Sequence, residues 1–324
     1  MRHRFGFLAL LTCVITFVWI SPVQSQSYPE RPVKILVGFA AGGTVDTITR
    51  IYAEKLSAHF NKRFVVENMP GAMGRIATVT AVKAQPDGYT LLMANNANST
   101  EVSLNKKLDY RFPEDFEAIA MLAGLHSALV ASPALGVNSV RELIAAAKAK
   151  PGEIVYGSAG VGTGTHMVAE LYQMSTQTKL THVPYKALGG AIADLLSGRL
   201  SLLFAPLGTV SESIKSGKLK GLAVTTGTRS TLAPNLPTIA ESGVPDFDVT
   251  LWIGLVAPKG TPLKAVETVG EGVAAAQRGN DLAPRLLAVG GEPISRSFAD
   301  FYAFMQKDVQ TWARVVQDTG VKVE

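Results

Sequence analysis

The sequence predicts an α/β protein of two lobes, each a mostly parallel sheet flanked by helices, and three observations carry that prediction. Short apolar runs alternate with amphipathic helical patterns along most of the chain, the pattern of parallel strands joined by right-handed crossovers. A glycine-rich turn separates an apolar run from a helical pattern twice, at "GFAAGG" and at "GSAGVGTG". With 324 residues, 47% of them hydrophobic, the chain can fill two cores, since single cores stop growing near about 250–300 residues.

Residues 1–27 read as a secretory signal peptide. Arg2, His3 and Arg4 precede an apolar run from Phe5 to Ile20 and the small-residue segment "SPVQSQS". The run is short for a membrane span, which needs about 20 residues. The expected location is the periplasm. Cys13, the only cysteine, lies inside this run, so the mature chain would carry no thiol, which excludes disulfides, thiolate metal sites and a cysteine nucleophile. Without Arg2 and Arg4, 29 basic residues face 26 acidic ones. The excess is spread without a basic block, so no nucleic-acid partner is expected.

Val33–Phe39 predicts a buried strand, and Val45, Ile48, Tyr52, Leu56 and Phe60 recur at helical spacing after it. "FVVEN" is a second strand, "GRIATVTAVKA" a helix closed by "QPDG", and "YTLLMAN" a third strand. After Pro133 the grammar returns. "VNSVRELIAAAKAKPG" is a helix capped by Asn138 or Ser139 and stopped by Pro151-Gly152. "IVYGSAG", "LTHVPYK", "LSLLFAP" and "LKGLAVTT" read as strands, with helices "GGAIADLLSG" and "TVSESIKSG" between them. The tail adds the strand "VTLWIGLVAP" and amphipathic helices over Pro262–Arg278 and Phe298–Asp318.

Ala128–Ala131 and Val244–Thr250 read as paired segments crossing between lobes, and the last helices need a sheet to cover. The expected lobes are therefore 28–129 with 248–324, and 130–247. Ligands of open parallel sheets bind beyond the carboxyl ends of the strands, which places the site in the cleft.

At the first glycine turn, Gly42 and Gly43 allow positive φ and close approach of a ligand, and Thr44 or Asp46 can cap the helix that follows. Free amides at such a helix start, with the helix dipole behind them, favour an anion. The second turn repeats the idea before a helix marked by Met167, Leu171 and Met174, with Ser158, Thr163 and Thr165 adding hydroxyl donors. Asp46 would repel an anion and is read as a cap or brace, and His166 as a structural hydrogen-bond partner. Trp252 is read as core or as a cleft wall that shapes the ligand's far end.

No enzyme motif is found. Tyr156 stands where a nucleophile elbow needs its first glycine, "GVGTGT" departs from a dinucleotide fingerprint at its last glycine, and the five histidines lack metal-ligand spacing. The expected product is a binder without catalytic residues, metal or cofactor.

"YPERPVKILVGFAAGGTVDTITR", "VVENMPGAMGRIA", "AQPDGYTLLM", "AKPGEIVYGSAGVGTGTHMVAEL", "HVPYKALGGAIADLLSGRL", "GKLKGLAVTT", "PNLPTIAESGVPDF" and "LVAPKGTP" resemble, in order, the signatures of the tripartite tricarboxylate transporter receptors of Bug type. The resemblance implies a Venus-flytrap fold, monomeric, that closes on a small organic acid and delivers it to a membrane permease. A sensor of the same fold that feeds a kinase is the alternative. By position the resemblance assigns ligand contacts to Phe39, Ala41, Gly42, Gly43 and Thr44, to Ser158, Ala159, Gly160, Gly162 and Thr163, and to Tyr185. Asn95, Asn96 and Ser99 would read the distal group. Ala205 replaces a frequent aspartate that receives an amino group, which argues for a di- or tricarboxylate or aromatic acid over an amino acid. Met73 and Arg75 replace a commoner glycine and asparagine.

Overall fold

The computed structural model describes residues 28–322 except 106 and 295. The signal-peptide reading, including Cys13, falls outside the described residues. The first lobe opens with β1 (Val33–Val37), α1 (Thr44–Phe60), β2 (Phe64–Asn68), α2 (Arg75–Val82), β3 (Thr90–Asn95), α3 (Asn96–Leu104) and β4 (Phe116–Leu125). The second holds β5 (Ser127–Ala131), α4 (Val140–Ala149), β6 (Val155–Ser158), α5 (Gly164–Thr176), β7 (Thr181–Pro184), α6 (Leu188–Leu196), β8 (Leu202–Pro206), α7 (Leu207–Lys215) and β9 (Lys220–Val224). The chain then returns through β10 (Leu251–Pro258), α8 (Leu263–Arg278), α9 (Leu282–Leu287), β11 (Gly291–Pro293) and α10 (Phe298–Thr319).

Lobe 1 is a six-stranded sheet in the order β11-β4-β10-β3-β1-β2, and lobe 2 a five-stranded sheet in the order β7-β6-β8-β5-β9. In lobe 1 the strands β1 to β4 run one way, with β10 and β11 reversed. In lobe 2 only β5 is reversed. The reversal has a topological cause. A strand that leaves a lobe ends at the cleft, so the strand it becomes in the other lobe starts at the cleft and must run backwards among strands that end there. Both crossing strands, β5 and β10, obey this. The chain changes sheets at His126, and changes back between Val249, whose amide bonds the Thr225 carbonyl, and Leu251. These points fall a few residues before the expected 129/130 boundary and a few after 247/248.

Local chemistry explains the elements that matter for the site. Ser139 caps α4, its hydroxyl accepting from the Glu142 amide at 3.2 Å. α3 follows β3 without a loop because Asn95 caps it: its side chain accepts the Ala97 amide at 2.8 Å while Asn98 accepts the Asn95 amide at 2.9 Å. α10 packs on α3 and β4 of lobe 1 and on α5 of lobe 2. Trp312 and Val315 near its end join one apolar cluster with Met167 and Tyr172 of α5.

Candidate functional site

Turn 1 follows β1. Gly38 has no room for a side chain, because a Cβ there would stand 2.5 Å from the Gly74 Cα. Ala40 to Gly43 are exposed, Gly42 has φ +82°, and α1 begins at Thr44 with no side chain capping it. Its first amides therefore keep their unmet hydrogen-bonding capacity at the surface of the turn. Asp46 is buried and reaches backwards instead. It accepts the Gly42 amide at 2.8 Å, the Arg50 Nε at 3.0 Å and the Asn68 Nδ2 at 2.8 Å, and Asn68 also donates to the Phe39 carbonyl at 3.0 Å. Burial works against its ionisation, but the bonds from Arg50, Gly42 and Asn68 prevail and hold its pKa below the usual carboxylate value.

Turn 2 follows β6. The Ala159 amide donates to Thr165 Oγ1 at 3.0 Å, the Gly160 amide to Ser158 Oγ at 3.0 Å, and the Gly162 amide to His166 Nδ1 at 3.0 Å, while Thr163 Oγ1 donates to the Gly160 carbonyl at 2.7 Å. These groups of Ser158, Ala159, Gly160, Gly162 and Thr163, expected as ligand contacts, bond within the turn in this structure. A turn with φ of +120° at Gly160 and +77° at Gly162 has no ladder partner, so its polar groups bond one another. No side chain caps the start of α5 after Thr163; Gly164 there is half-buried, Thr165 and His166 are buried, and the His166 amide bonds the Thr163 carbonyl at 3.0 Å.

Beneath turn 2 lies a stack that the sequence did not announce. The rings of His166 and His182 are 4.1 Å apart, and Tyr156 stacks on His182 at 4.8 Å. His182 Nε2 lies 2.7 Å from Ser158 Oγ. The Tyr156 hydroxyl donates to Glu170 Oε1 at 2.5 Å. Since His166 Nδ1 accepts an amide, its proton sits on Nε2, which faces Glu170 Oε1 at 3.6 Å. Burial, with His182 beside it, pushes the His166 pKa down to about 3, and burial pushes His182 to about 4. Both rings are neutral near pH 7.

The two turns meet through one segment. Gly74 lies against Gly38 and the Phe39 ring, and the next residue back, Met73, extends to turn 2. Its Cε and Sδ lie 2.6 and 2.8 Å from where a Cβ would stand on Gly162, beside Leu104 Cδ1 at 2.7 Å. Leu251 of β10 touches Gly164 in the same manner, at 2.9 Å from its would-be Cβ. Sequence reading noticed Met73 only as a departure from a glycine.

Several other expected ligand contacts lie in the interior. Trp252 is fully buried among Phe112, Phe301 and Phe304, with its Nε1 donating to Asp308 at 2.7 Å and its amide to Asn96 Oδ1 at 2.7 Å. Ala205 is fully buried in β8 opposite Ala128. Asn95, Asn96 and Ser99 are buried at the start of α3, on which β10 and α10 pack; Asn95 Oδ1 and Asn96 Oδ1 accept the Ala97 and Trp252 amides, whereas Asn96 Nδ2 has no hydrogen-bond partner among the described residues. Tyr185, by contrast, is half-buried: its hydroxyl donates to Asp194 at 2.7 Å, with its ring over Gly157 and Gly190. A cavity of about 530 Å³ opens elsewhere, between α10 and Asp248–Thr250, and shares no residue with either turn. Its wall carries both signs of charge, Asp248, Asp300 and Asp308 with Arg296 and Lys307.

A sequence model of the tripartite tricarboxylate transporter family receptor matches residues 48–321. The chain belongs to this family. The receptor is 34% identical over 306 residues to protein BugT of Bordetella pertussis (strain Tohama I), an alignment that covers 94% of each chain. Among solved structures it resembles R. palustris Rpa4515 with adipate, at 32% identity and TM-score 0.82, covering 91% of this chain and 99% of that one. It also resembles MatC of Rhodopseudomonas palustris with bound malate, at 27% identity and TM-score 0.79, covering 89% and 100%. Tripartite tricarboxylate transporter receptors are periplasmic solute-binding proteins and not enzymes. The contact of Ser158 with His182 accordingly serves the turn: the hydroxyl is fully buried and accepts the Gly160 amide.

Proposed function

We propose that this receptor holds one carboxylate of a small organic acid between turn 1 and turn 2 and delivers the acid to a membrane permease, after export directed by residues 1–27. The observation that carries the reading is a pair of uncapped helix starts, at Thr44 and Gly164, on turns that approach one another through Met73. Each uncapped start offers amides and the positive end of a helix dipole to an anion. Adipate and malate in the structures of Rpa4515 and MatC, both dicarboxylates, support an acid with two carboxylates. Bonds to a charged group contribute about 1.5–3 kcal/mol each, so four outward amides approach the roughly 8 kcal/mol of micromolar binding, with ordered water supplying any further contacts.

A thermal-shift screen of mono-, di- and tricarboxylates and aromatic acids tests it. The expected outcome is that at least one acid raises the melting temperature, by about 2.7 kcal/mol of stabilisation at one hundred times Kd. Gly43→Asp, which sets a carboxylate at the uncapped start of α1, removes that gain. A rise with an uncharged solute and none with any acid would overturn the proposal.

A further inference from the structure

We propose that Met73 sets the size of acid this receptor accepts, by closing one side of the crevice between the two turns with a thioether. The inference rests on the carboxylate reading above and goes beyond it, to a residue that limits the ligand's length.

Gly71, Ala72, Met73 and Gly74 all have positive φ, of +135°, +46°, +57° and +95°. Glycine takes such angles without strain, and a side chain at position 73 takes them only at a cost. Nothing in the local fold therefore calls for methionine here, and the reason for it must lie in what the side chain touches. The base of the segment is fixed, since Gly74 is clasped between the backbone of Gly38 and the ring of Phe39 at the root of turn 1. From that base the half-buried side chain reaches the other lobe and ends against Gly162 in turn 2. A glycine at 73 would leave the space between the turns open on this side.

The chemistry of that wall is apolar. Leu104 stands beside the methionine tip. Arg75, the nearest cation along the chain, is directed elsewhere: its Nε lies 3.6 Å from Glu101 Oε1, and Glu101 Oε2 accepts the Tyr110 hydroxyl at 2.7 Å. An acid seated on the two turns thus meets a thioether and a leucine on this side rather than a second cationic partner. Methionine is unbranched and adapts its shape, so it tolerates small differences between ligands but still occupies the volume of several methylenes.

The test is isothermal titration of the mature protein and its Met73→Gly and Met73→Leu variants with straight-chain mono- and dicarboxylates that lengthen by one methylene at a time. The wild type is expected to lose affinity beyond a certain length. Met73→Gly should move that limit to longer acids, raising affinity for the first excluded acid by about tenfold or more, while Met73→Leu keeps the wild-type limit. A melting temperature without ligand no lower than wild type for Met73→Gly shows that the variant is folded. If wild type binds acids and Met73→Gly keeps the same limit, or weakens every acid equally, the role of Met73 is overturned and the carboxylate reading stands. If wild type binds no acid, that reading falls and this inference with it.

Discussion

In turn 1 a glycine of positive φ, Gly42, gives its amide to the side chain four residues on, Asp46; in turn 2 Gly162 does the same with His166. Spacing, helix position and bond length match closely, yet one acceptor is an ionised carboxylate and the other a neutral imidazole. On the proposed reading a negative brace would repel the ligand, and Arg50 beside Asp46 carries the opposite charge, while Asn68 adds a neutral hydrogen bond. A neutral brace needs no such company, and turn 2 instead stacks His166 on His182. The difference teaches that the same local geometry can be held by a charged group or by a neutral one, each keeping its state over the physiological pH range.

The largest effect is expected where the brace is charged. Asp46→Ala removes a buried carboxylate and leaves the exposed Gly42 amide, the half-exposed Arg50 and the half-buried Asn68 without their common acceptor. Hydrogen bonds to a charged group are worth about 1.5–3 kcal/mol, but the freed partners can turn to water, so the loss of stability should be about 1.5–3 kcal/mol in total. A urea titration reads it as a lower midpoint with unchanged slope. A loss below about 1 kcal/mol would show that turn 1 does not depend on its carboxylate.

The second prediction separates the two turns by pH. His166 has a folded pKa of about 3 against an ordinary value near 6.5. Below pH 6.5 the unfolded chain therefore takes up a proton that the folded chain refuses, and stability falls as the pH falls from 6.5 toward 3. At about pH 5 this amounts to about 2 kcal/mol relative to neutral pH. The folded pKa of Asp46 is lowered, so its contribution is present above the ordinary aspartate value and is lost only in more acid solution. Burial raises Asp308 to about 6, which has the opposite sign, its contribution being lost as the pH rises through that value. Comparing wild type with His166→Gln cancels every group but one: the loss between neutral pH and about pH 5 should shrink by about 2 kcal/mol in the variant. An equal pH dependence in both proteins would mean that His166 is not held neutral.

The same comparison marks the reach of sequence reading. Turn 1 could be read along the chain, since its brace and its glycine lie four residues apart. The stack under turn 2 could not, because Tyr156 and His182 become neighbours only through the parallel register of β6 and β7. Strand periodicity was legible, and β2 spans "FVVEN" as expected. The reversed directions of β5 and β10 were not, since they depend on which lobe the chain has just left. By position Asn95, Asn96 and Ser99 read as cleft residues, and their sequence does not show that Asn95 and Asn98 cap α3 or that β10 and α10 pack on it. A similar tertiary effect took Trp252 and Ala205 into the cores. Met73 was visible as an odd residue in a glycine-rich turn, whereas its contact with Gly162 required the two lobes together.

The smallest expected effect tests why turn 1 carries a cation at all. The Arg50 side chain is 50% exposed, with its Nε 3.0 Å from Asp46 Oδ2 and its Nη2 donating to Asn68 Oδ1 at 2.8 Å. Arg50→Gln leaves Asp46 its bonds from Gly42 and Asn68, so the turn should remain folded and lose no more than about 1 kcal/mol, as exposed ion pairs do. If Arg50 serves only to fix the turn, ligand affinity will not change. If it offsets the charge of Asp46, an acid bound above the turn will feel an unbalanced carboxylate, and affinity should fall by about threefold to fivefold at low salt, less as salt is added. Turn 2 has no charge to balance and supplies the reference: His166→Gln at neutral pH should leave the salt dependence of binding unaltered. A salt-sensitive loss in Arg50→Gln alone would tie the added groups of turn 1 to its charged brace.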